Sequence, residues 1–222
     1  AITDDEARLA TWHGGNMRNA IPFEATAVLT MPKENKEDFM ALCADFKEDF
    51  IAEYKGIEDG IDVVVEDVEL PATQMPQEIQ DNIVDAIYAV HNGVWRYIPS
   101  IPGIVETSSN FAIINIEGGS VAFKFLARSS SDSVKAEIGA SIESCLNMAG
   151  MKVVFSGEYG GWDPNPDSEL IKEMCGIYRK LFNKEPTVQV VHAGLECSMI
   201  LNKSTGLDIC TFGPTLRSPH TQ

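Results

Sequence analysis

Apolar residues recur at helical spacing in four stretches of the chain. The stretches follow Asn35, open at Pro76, begin near Ser131 and follow the pair Asp167-Ser168. In each of them the apolar side chains fall three or four residues apart, which places them on one face of a helix. These four segments are therefore predicted to be amphipathic helices, each packing its apolar face against other elements.

Between the helices lie segments rich in β-branched residues, several with alternating polar and apolar positions. They predict strands at 25–30, 62–70, 111–117, 120–128, 152–155, 187–192 and 208–212. Gly118 and Gly119 separate two of these strands and favour a two-residue hairpin. The order of elements predicts an α/β fold, with antiparallel pairing in the first part of the chain and parallel pairing in the last.

The order strand, strand, helix occurs twice, with the helices beginning near Lys36 and Ser131. An internal β-β-α repeat is therefore expected, in a two-layer α/β domain with a mainly antiparallel sheet. Residues 156–166 are dense in glycine and proline and mark a domain boundary. The stretch from there to residue 222 is too short to bury a parallel sheet alone. It either packs on the first domain or belongs to a larger domain.

Charge and composition narrow the functional classes. The 222 residues carry a formal net charge of −16, which argues against a nucleic-acid partner because phosphates would be repelled. The longest apolar runs are far shorter than the roughly 20 residues of a membrane helix. Five cysteines with no CxxC pair fit reduced, mostly buried thiols. A cytoplasmic protein without a membrane partner is expected.

Two segments near the end of the chain carry candidate chemistry. His220 follows the predicted strand 208–212 and could ligate zinc, or it could be an exposed terminal residue. In HAGLECS, Gly194 could let a substrate approach the backbone, or it could serve only a tight turn. Glu196 in the same segment could lie near a metal, bind a substrate amine or be solvated.

Two further segments offer donors for a small carboxylate. GGNMRNAIP supplies Asn19 just before a predicted strand, and KFLARSSSD supplies Arg128 at the end of another. Amide and guanidinium groups can fork onto a carboxylate. The alternatives are an Asn-capped glycine turn for the first and a surface charge for the second. The chain has no phosphate loop, nucleophile elbow or HExxH motif.

Six motifs give these segments a common context. They are GGNMRNAIP, VETSSN, FLARSS, SGEYGGWDPN, HAGLEC and FGPTLRSPH, and together they extend over nearly the whole chain. In this order they resemble the second half of the cytosolic Xaa-His dipeptidases, also called aminoacyl-histidine dipeptidases or peptidase D. That family belongs to the di-zinc aminoacylase and carboxypeptidase superfamily. HAGLEC and FGPT…PH are the more specific motifs, because NAIP is shared more widely in the superfamily.

The resemblance implies a domain organisation and an activity. Residues 1–155 correspond to most of a lid domain that positions substrate and mediates dimerisation. Residues 156–222 correspond to the C-terminal segment of an α/β catalytic domain that is incomplete here. The parent enzyme would hydrolyse unblocked dipeptides, including Xaa-His, with two zinc ions. Whether the protein forms a homodimer is left open by the resemblance.

The resemblance also implies roles for individual residues. Asn19 and Arg128 would hold the substrate's C-terminal carboxylate, Gly194 would contact the substrate through its backbone, and His220 would ligate one zinc. Glu196 keeps its open roles. The family's other metal ligands and its catalytic base lie upstream of this sequence, so no catalytic residue is assigned here. For the same reason the fragment alone is expected to be inactive.

Two alternatives to this interpretation remain at this point. One is a non-catalytic lid or dimerisation module. The other is an N-acyl amino-acid amidohydrolase of the same superfamily, which would act on blocked substrates. A dipeptidase should need a substrate with a free amine. Whether the substrate's N-terminus must be free or blocked therefore distinguishes a dipeptidase from an amidohydrolase.

Overall fold

The structure, a computed structural model, describes residues 7–192, 196–201, 203–204 and 206–213, with Glu196 in backbone only. Its strands are β1 (Arg8–Gly14), β2 (Ala25–Thr30), β3 (Gly93–Tyr97), β4 (Val105–Glu117) and β5 (Ser120–Ser129). Its helices are α1 (Lys36–Glu53), α2 (Gln77–Ala89), α3 (Asp132–Met148), α4 (Glu169–Phe182) and α5 (Glu196–Leu201), with a 3-10 turn at Lys33–Asn35.

The four helices expected from apolar spacing are confirmed. Helix α4 shows why its start could be read from the sequence. The hydroxyl of Ser168 accepts a hydrogen bond from the backbone N–H of Ile171 at 3.1 Å, which satisfies one of the free donors of the first turn. At the other end Asn183 takes a left-handed conformation, φ 50°, and closes the helix.

The sheet has the strand order β2-β1-β4-β3, and β5 also pairs with β4. Strand β1 runs antiparallel to both β2 and β4, and β3 runs antiparallel to β4. The turn between β4 and β5 has positive φ at Gly118 and Gly119, 58° and 76°, as a tight hairpin requires. The hairpin and the antiparallel sheet are therefore confirmed. The order β-β-α also occurs twice, as β1-β2-α1 and β4-β5-α3, although the first strand of the first copy was not among the expected strands.

Four of the expected strands are wrong. Segments 62–70, 152–155, 187–192 and 208–212 lie outside any strand, so the described residues hold no parallel pairing late in the chain. Alternating or apolar β-branched residues fit a pleated surface, but a strand also needs a neighbouring backbone to complete its hydrogen-bond ladder. Conversely, strands β1 and β3 were not expected from the sequence.

The chain divides into two compact units. Unit 1 comprises 1–90, 110–126 and 145–151, and unit 2 comprises 91–109, 127–144 and 152–222. Leu9, Ile83, Ile114 and Ile116 form the buried core of unit 1, packed against partly buried side chains such as Trp12 and Phe111. In unit 2 the buried apolar residues include Ile98, Val134, Ile138 and Ile142. The expected boundary near residue 155 stays a prediction.

Helix α1 has no buried residue, and Phe46 and Phe50 stack on each other while 45% and 41% exposed. All five cysteines are free, but they are half-buried rather than buried. Burial raises the pKa of the Cys43 and Cys145 thiols. Within the part of the chain described, no helix has both the length and the apolar character to cross a membrane.

Two glycines of unit 2 provide a matched test of this packing. A Cβ on Gly161 would lie 2.0 Å from the carbonyl oxygen of Ser130, whereas nothing lies within 4 Å of a Cβ on Gly176 inside α4. We expect Gly161→Ala to lower the free energy of unfolding by about 2 kcal/mol or more through overpacking. Gly176→Ala should raise it by up to about 1 kcal/mol through helix propensity. Urea unfolding measures both, and equal effects of the same sign would contradict this packing.

Candidate carboxylate-binding residues

Asn19 lies in the loop 15–24 that joins β1 to β2 in unit 1, and its side chain is exposed. The side-chain amide of Asn110, on β4, donates to the carbonyl oxygens of Arg18 at 3.2 Å and Ala20 at 2.8 Å. These two carbonyls flank Asn19 in the chain. The backbone around Asn19 is therefore fixed on both sides, while its own amide group points to no partner among the described residues.

Gly15 fixes the base of the same loop. Its φ of +69° belongs to the left-handed region, and a Cβ there would lie 1.9 Å from the carbonyl oxygen of Ala112 on β4. Its N–H donates to the carbonyl of Glu24 at 3.2 Å, which draws the two ends of the loop together. Only glycine fits this approach, so the second glycine of the GGNMRNAIP motif has a structural reason.

Arg128 lies near the end of β5 in unit 2 and is half-buried. One terminal nitrogen of its guanidinium donates to the backbone carbonyl of His192 at 3.4 Å, which is a long hydrogen bond. A guanidinium has five N–H donors. Most of the donors of Arg128 are thus available to a ligand, as far as the described residues are concerned.

Two other arginines of unit 2, Arg96 and Arg179, differ from Arg128. Arg96 makes a two-pronged contact with the buried carboxylate of Glu106, at 2.8 and 2.9 Å, and this contact raises the pKa of Arg96. Arg179 binds Glu185 in the same manner on the surface. Within the described ranges no carboxylate pairs with Arg128. A half-buried guanidinium without an acidic partner is suited to an incoming carboxylate.

His192 contacts Arg128 through its backbone carbonyl and β4 through its imidazole. Its Nε2 lies 2.7 Å from the hydroxyl oxygen of Ser108, and the backbone of Val105 also hydrogen-bonds the residue. Burial and the positive charge of Arg128 lower the pKa of His192, against a smaller opposing contribution from the Val105 hydrogen bond. The lowered pKa favours the neutral ring at pH 7. His192 also begins the HAGLEC motif, so unit 2 brings Arg128 and the start of that motif together.

The remaining site predictions lie outside the described residues. These are Gly194, the side chain of Glu196 and His220. In the part of the chain that is described, no group of three or more His, Cys, Asp or Glu side chains could hold a metal ion. Ser108 and Asn110 were not singled out from the sequence, although both belong to the VETSSN motif.

The depressed pKa of His192 makes a prediction about stability and pH. The unfolded chain protonates this histidine near its ordinary pKa of about 6.5, whereas the folded chain resists protonation. Stability should therefore fall as pH drops through and below about 6.5. Urea unfolding at several pH values should show a smaller loss of stability for His192→Gln than for the unmodified protein.

Arg128→Gln serves as the matched variant for this measurement. It keeps the imidazole and removes one of the two causes that lower its pKa, so its loss of stability should be intermediate. If stability depended on pH identically in all three proteins, the lowered pKa of His192 would be contradicted.

Comparison with known proteins supports the motif-based resemblance. No protein-family model matches the chain. The cytosol non-specific dipeptidase of Escherichia coli (strain K12) is 30% identical over 216 residues, covering 97% of this chain and 44% of that protein. The crystal structure of aminoacylhistidine dipeptidase from Vibrio alginolyticus matches with a TM-score of 0.89 and 34% identity, again covering 97% and 44%. The chain thus spans less than half the length of these relatives, and its similarity to dipeptidases is confirmed over nearly all of its own length.

Proposed function

We propose that this chain is the part of a dipeptidase that holds the C-terminal carboxylate of a short peptide. The observation that carries the proposal is the match over 97% of the chain to two proteins named as dipeptidases, one of them with a TM-score of 0.89. Hydrolysis of unblocked dipeptides, including Xaa-His, is the activity proposed for the whole protein. The dipeptide is its proposed partner.

Arg128 provides the cation for this carboxylate. Its guanidinium is half-buried and has no acidic partner among the described residues, so a ligand carboxylate would not have to displace an existing ion pair. Partial burial also strengthens a charge-assisted pair, because less water screens it. Two parallel N–H···O bonds would fix both the position and the plane of the carboxylate.

Asn19 provides a neutral donor. Its amide lies on an exposed loop whose backbone is held at the residues before and after it. An amide N–H can donate to one carboxylate oxygen without adding charge. Fixing one end of a dipeptide restricts where its peptide bond can lie, and such placement can account for a large share of a rate enhancement.

The domain organisation is proposed as residues 1–155 for the lid and 156–222 for part of a catalytic domain. Support comes from the glycine- and proline-dense stretch 156–166 that begins the second segment. The assignments of Gly194 to substrate contact, of His220 to a metal and of Glu196 to amine or outer-shell contacts are part of the same proposal.

Zinc dependence enters the proposal only through the family resemblance and His220. The described residues offer no cluster that could hold a metal, so they do not by themselves fit a zinc site. The steps proposed for Asn19 and Arg128 are binding and orientation, and none of them runs through a metal. A cytoplasmic location is proposed from the five free cysteines.

Binding of the substrate carboxylate by Arg128 is called the carboxylate clamp below. It is tested by comparing two arginine variants of the full-length gene product that contains this chain. Arg128→Ala should lower kcat/KM for Ala-His on the order of 100-fold, which corresponds to about 3 kcal/mol of lost charge-assisted bonding. Arg179→Ala, which removes a surface arginine already paired with Glu185, should leave it within about twofold. Steady-state kinetics measures both.

The same assay with the C-terminal amide of Ala-His separates binding from general damage. The unmodified protein should prefer the free carboxylate, and Arg128→Ala should lose most of that preference. A variant that is equally impaired on both substrates would count against the clamp. Faster turnover of N-acetyl-Ala-His than of Ala-His would instead favour the amidohydrolase alternative.

A dimerisation role is the second candidate, and helix α1 favours it. Its stacked Phe46 and Phe50 are uncovered in the described structure, which is unusual for neighbouring aromatic side chains. A second copy of the chain is the proposed cover, as a homodimer. A dimer would be compatible with dipeptidase activity.

Light scattering tests the dimer directly. The unmodified protein should have twice the mass of a single chain, and the double variant Phe46→Glu, Phe50→Glu should have the mass of one chain. Tyr88→Glu is the control, because Tyr88 is an exposed aromatic residue on α2, 88% accessible. A monomeric unmodified protein would refute this role.

A further inference from the structure

We propose that Asn110 is a positioning residue for carboxylate recognition, acting through Asn19. This inference rests on the proposed function. One amide group of Asn110 donates both of its N–H bonds to carbonyls that bracket Asn19, those of Arg18 and Ala20. The distances, 3.2 and 2.8 Å, both lie within the range of real hydrogen bonds. Ninety-two and ninety positions separate the donor from these acceptors, so the contact is tertiary and not part of a local turn.

The contact decides where Asn19 can present its side chain. The loop contributes one weak turn bond of its own, from the N–H of Ala20 to the carbonyl of Met17 at 3.3 Å. At the base of the loop, the N–H of Gly15 donates to the carbonyl of Glu24 at 3.2 Å. At the tip of the loop, the side-chain hydrogen bonds that the structure describes are those donated by Asn110. Removing that amide leaves two carbonyls without their donor and frees the peptide units on either side of Asn19.

Asn110 itself does not bind the substrate in this proposal. Its two N–H donors are both used by the loop, so its effect reaches a carboxylate only through the orientation of Asn19. It follows that Asn110 should matter only while Asn19 is present. It should also matter more for a substrate with a free carboxylate than for one without.

The first experiment follows the loop directly and does not depend on activity. Trypsin cleaves after arginine, and the Arg18–Asn19 bond contains the carbonyl that Asn110 binds. In the full-length gene product, Asn110→Leu removes both donors without adding charge and should speed cleavage at Arg18 about tenfold or more. Asn115→Leu, an exposed asparagine on the same strand, is the control and should cleave at the unmodified rate. Unchanged cleavage in Asn110→Leu would overturn the proposal.

The second experiment is a double-mutant cycle in kinetics. Asn110→Leu should raise KM for Ala-His about tenfold with a smaller change in kcat, and should have little further effect in an Asn19→Ala background. The C-terminal amide of Ala-His should respond weakly to either change. Asn110→Asp, which also lacks the donors, replaces the leucine variant if the latter does not fold.

The outcomes distinguish a failure of the positioning role of Asn110 from a failure of the proposed function. If Asn19→Ala impairs Ala-His hydrolysis but the Asn110 effect simply adds to it, the positioning role is wrong and the carboxylate clamp survives. If neither Asn19→Ala nor Arg128→Ala changes the preference for a free carboxylate, the proposed function itself is wrong. A non-additive cycle together with faster cleavage at Arg18 supports the positioning role.

Discussion

The backbone register of β4 is the constraint on which both candidate binding residues depend. In unit 1 this strand pairs with β1, supplies the Asn110 amide that binds the loop of Asn19, and passes close to Gly15 at the base of that loop. In unit 2 its earlier residues pair with β3 and supply the Ser108 hydroxyl that holds His192 beside Arg128. Side chains alternate along a strand, so a slip of one residue would turn the side chains of Asn110 and Ser108 to the opposite face.

The electrostatics of the chain make the local setting of Arg128 important. A net charge of −16 gives no general attraction for a substrate that carries a carboxylate. At physiological salt, charges separated by more than about 8 Å are largely screened, so the surface as a whole decides little about a bound group. Recognition of an anion must then come from a cation that is close, partly buried and not already neutralised. Arg96 and Arg179, two other cations of unit 2, are already paired with carboxylates.

Local patterns in the sequence predicted those parts of the fold that local forces determine. Helices followed from apolar spacing and the hairpin from Gly118-Gly119, because both depend on residues close in the chain. The strand predictions at 62–70 and 187–192 failed because alternation or β-branching supplies a suitable surface but no partner backbone. Strand β3 was missed for the opposite reason, since four of its five residues are exposed and show no alternation in burial.

The candidate site, too, was only partly predictable from local patterns in the sequence. Asn19 and Arg128 could be named from motifs that resemble a known family. The contacts that hold them could not be named, because Asn110 lies about ninety residues from its acceptors and Ser108 lies 84 from His192. Only the VETSSN motif gave a signal, and nothing in its local composition says which distant loop each side chain will meet.

The free thiols of unit 1 have a practical consequence. Cys43 lies on α1, and Cys145 lies on α3, where its sulfur is 3.6 Å from the carbonyl of Ala86 on α2. Burial raises the pKa of both, so at neutral pH each holds little of the thiolate that reacts with alkylating reagents. Opening of the surrounding helices should therefore raise their labelling rates. These two cysteines are natural probes of local opening at two separate helices, without any engineered label.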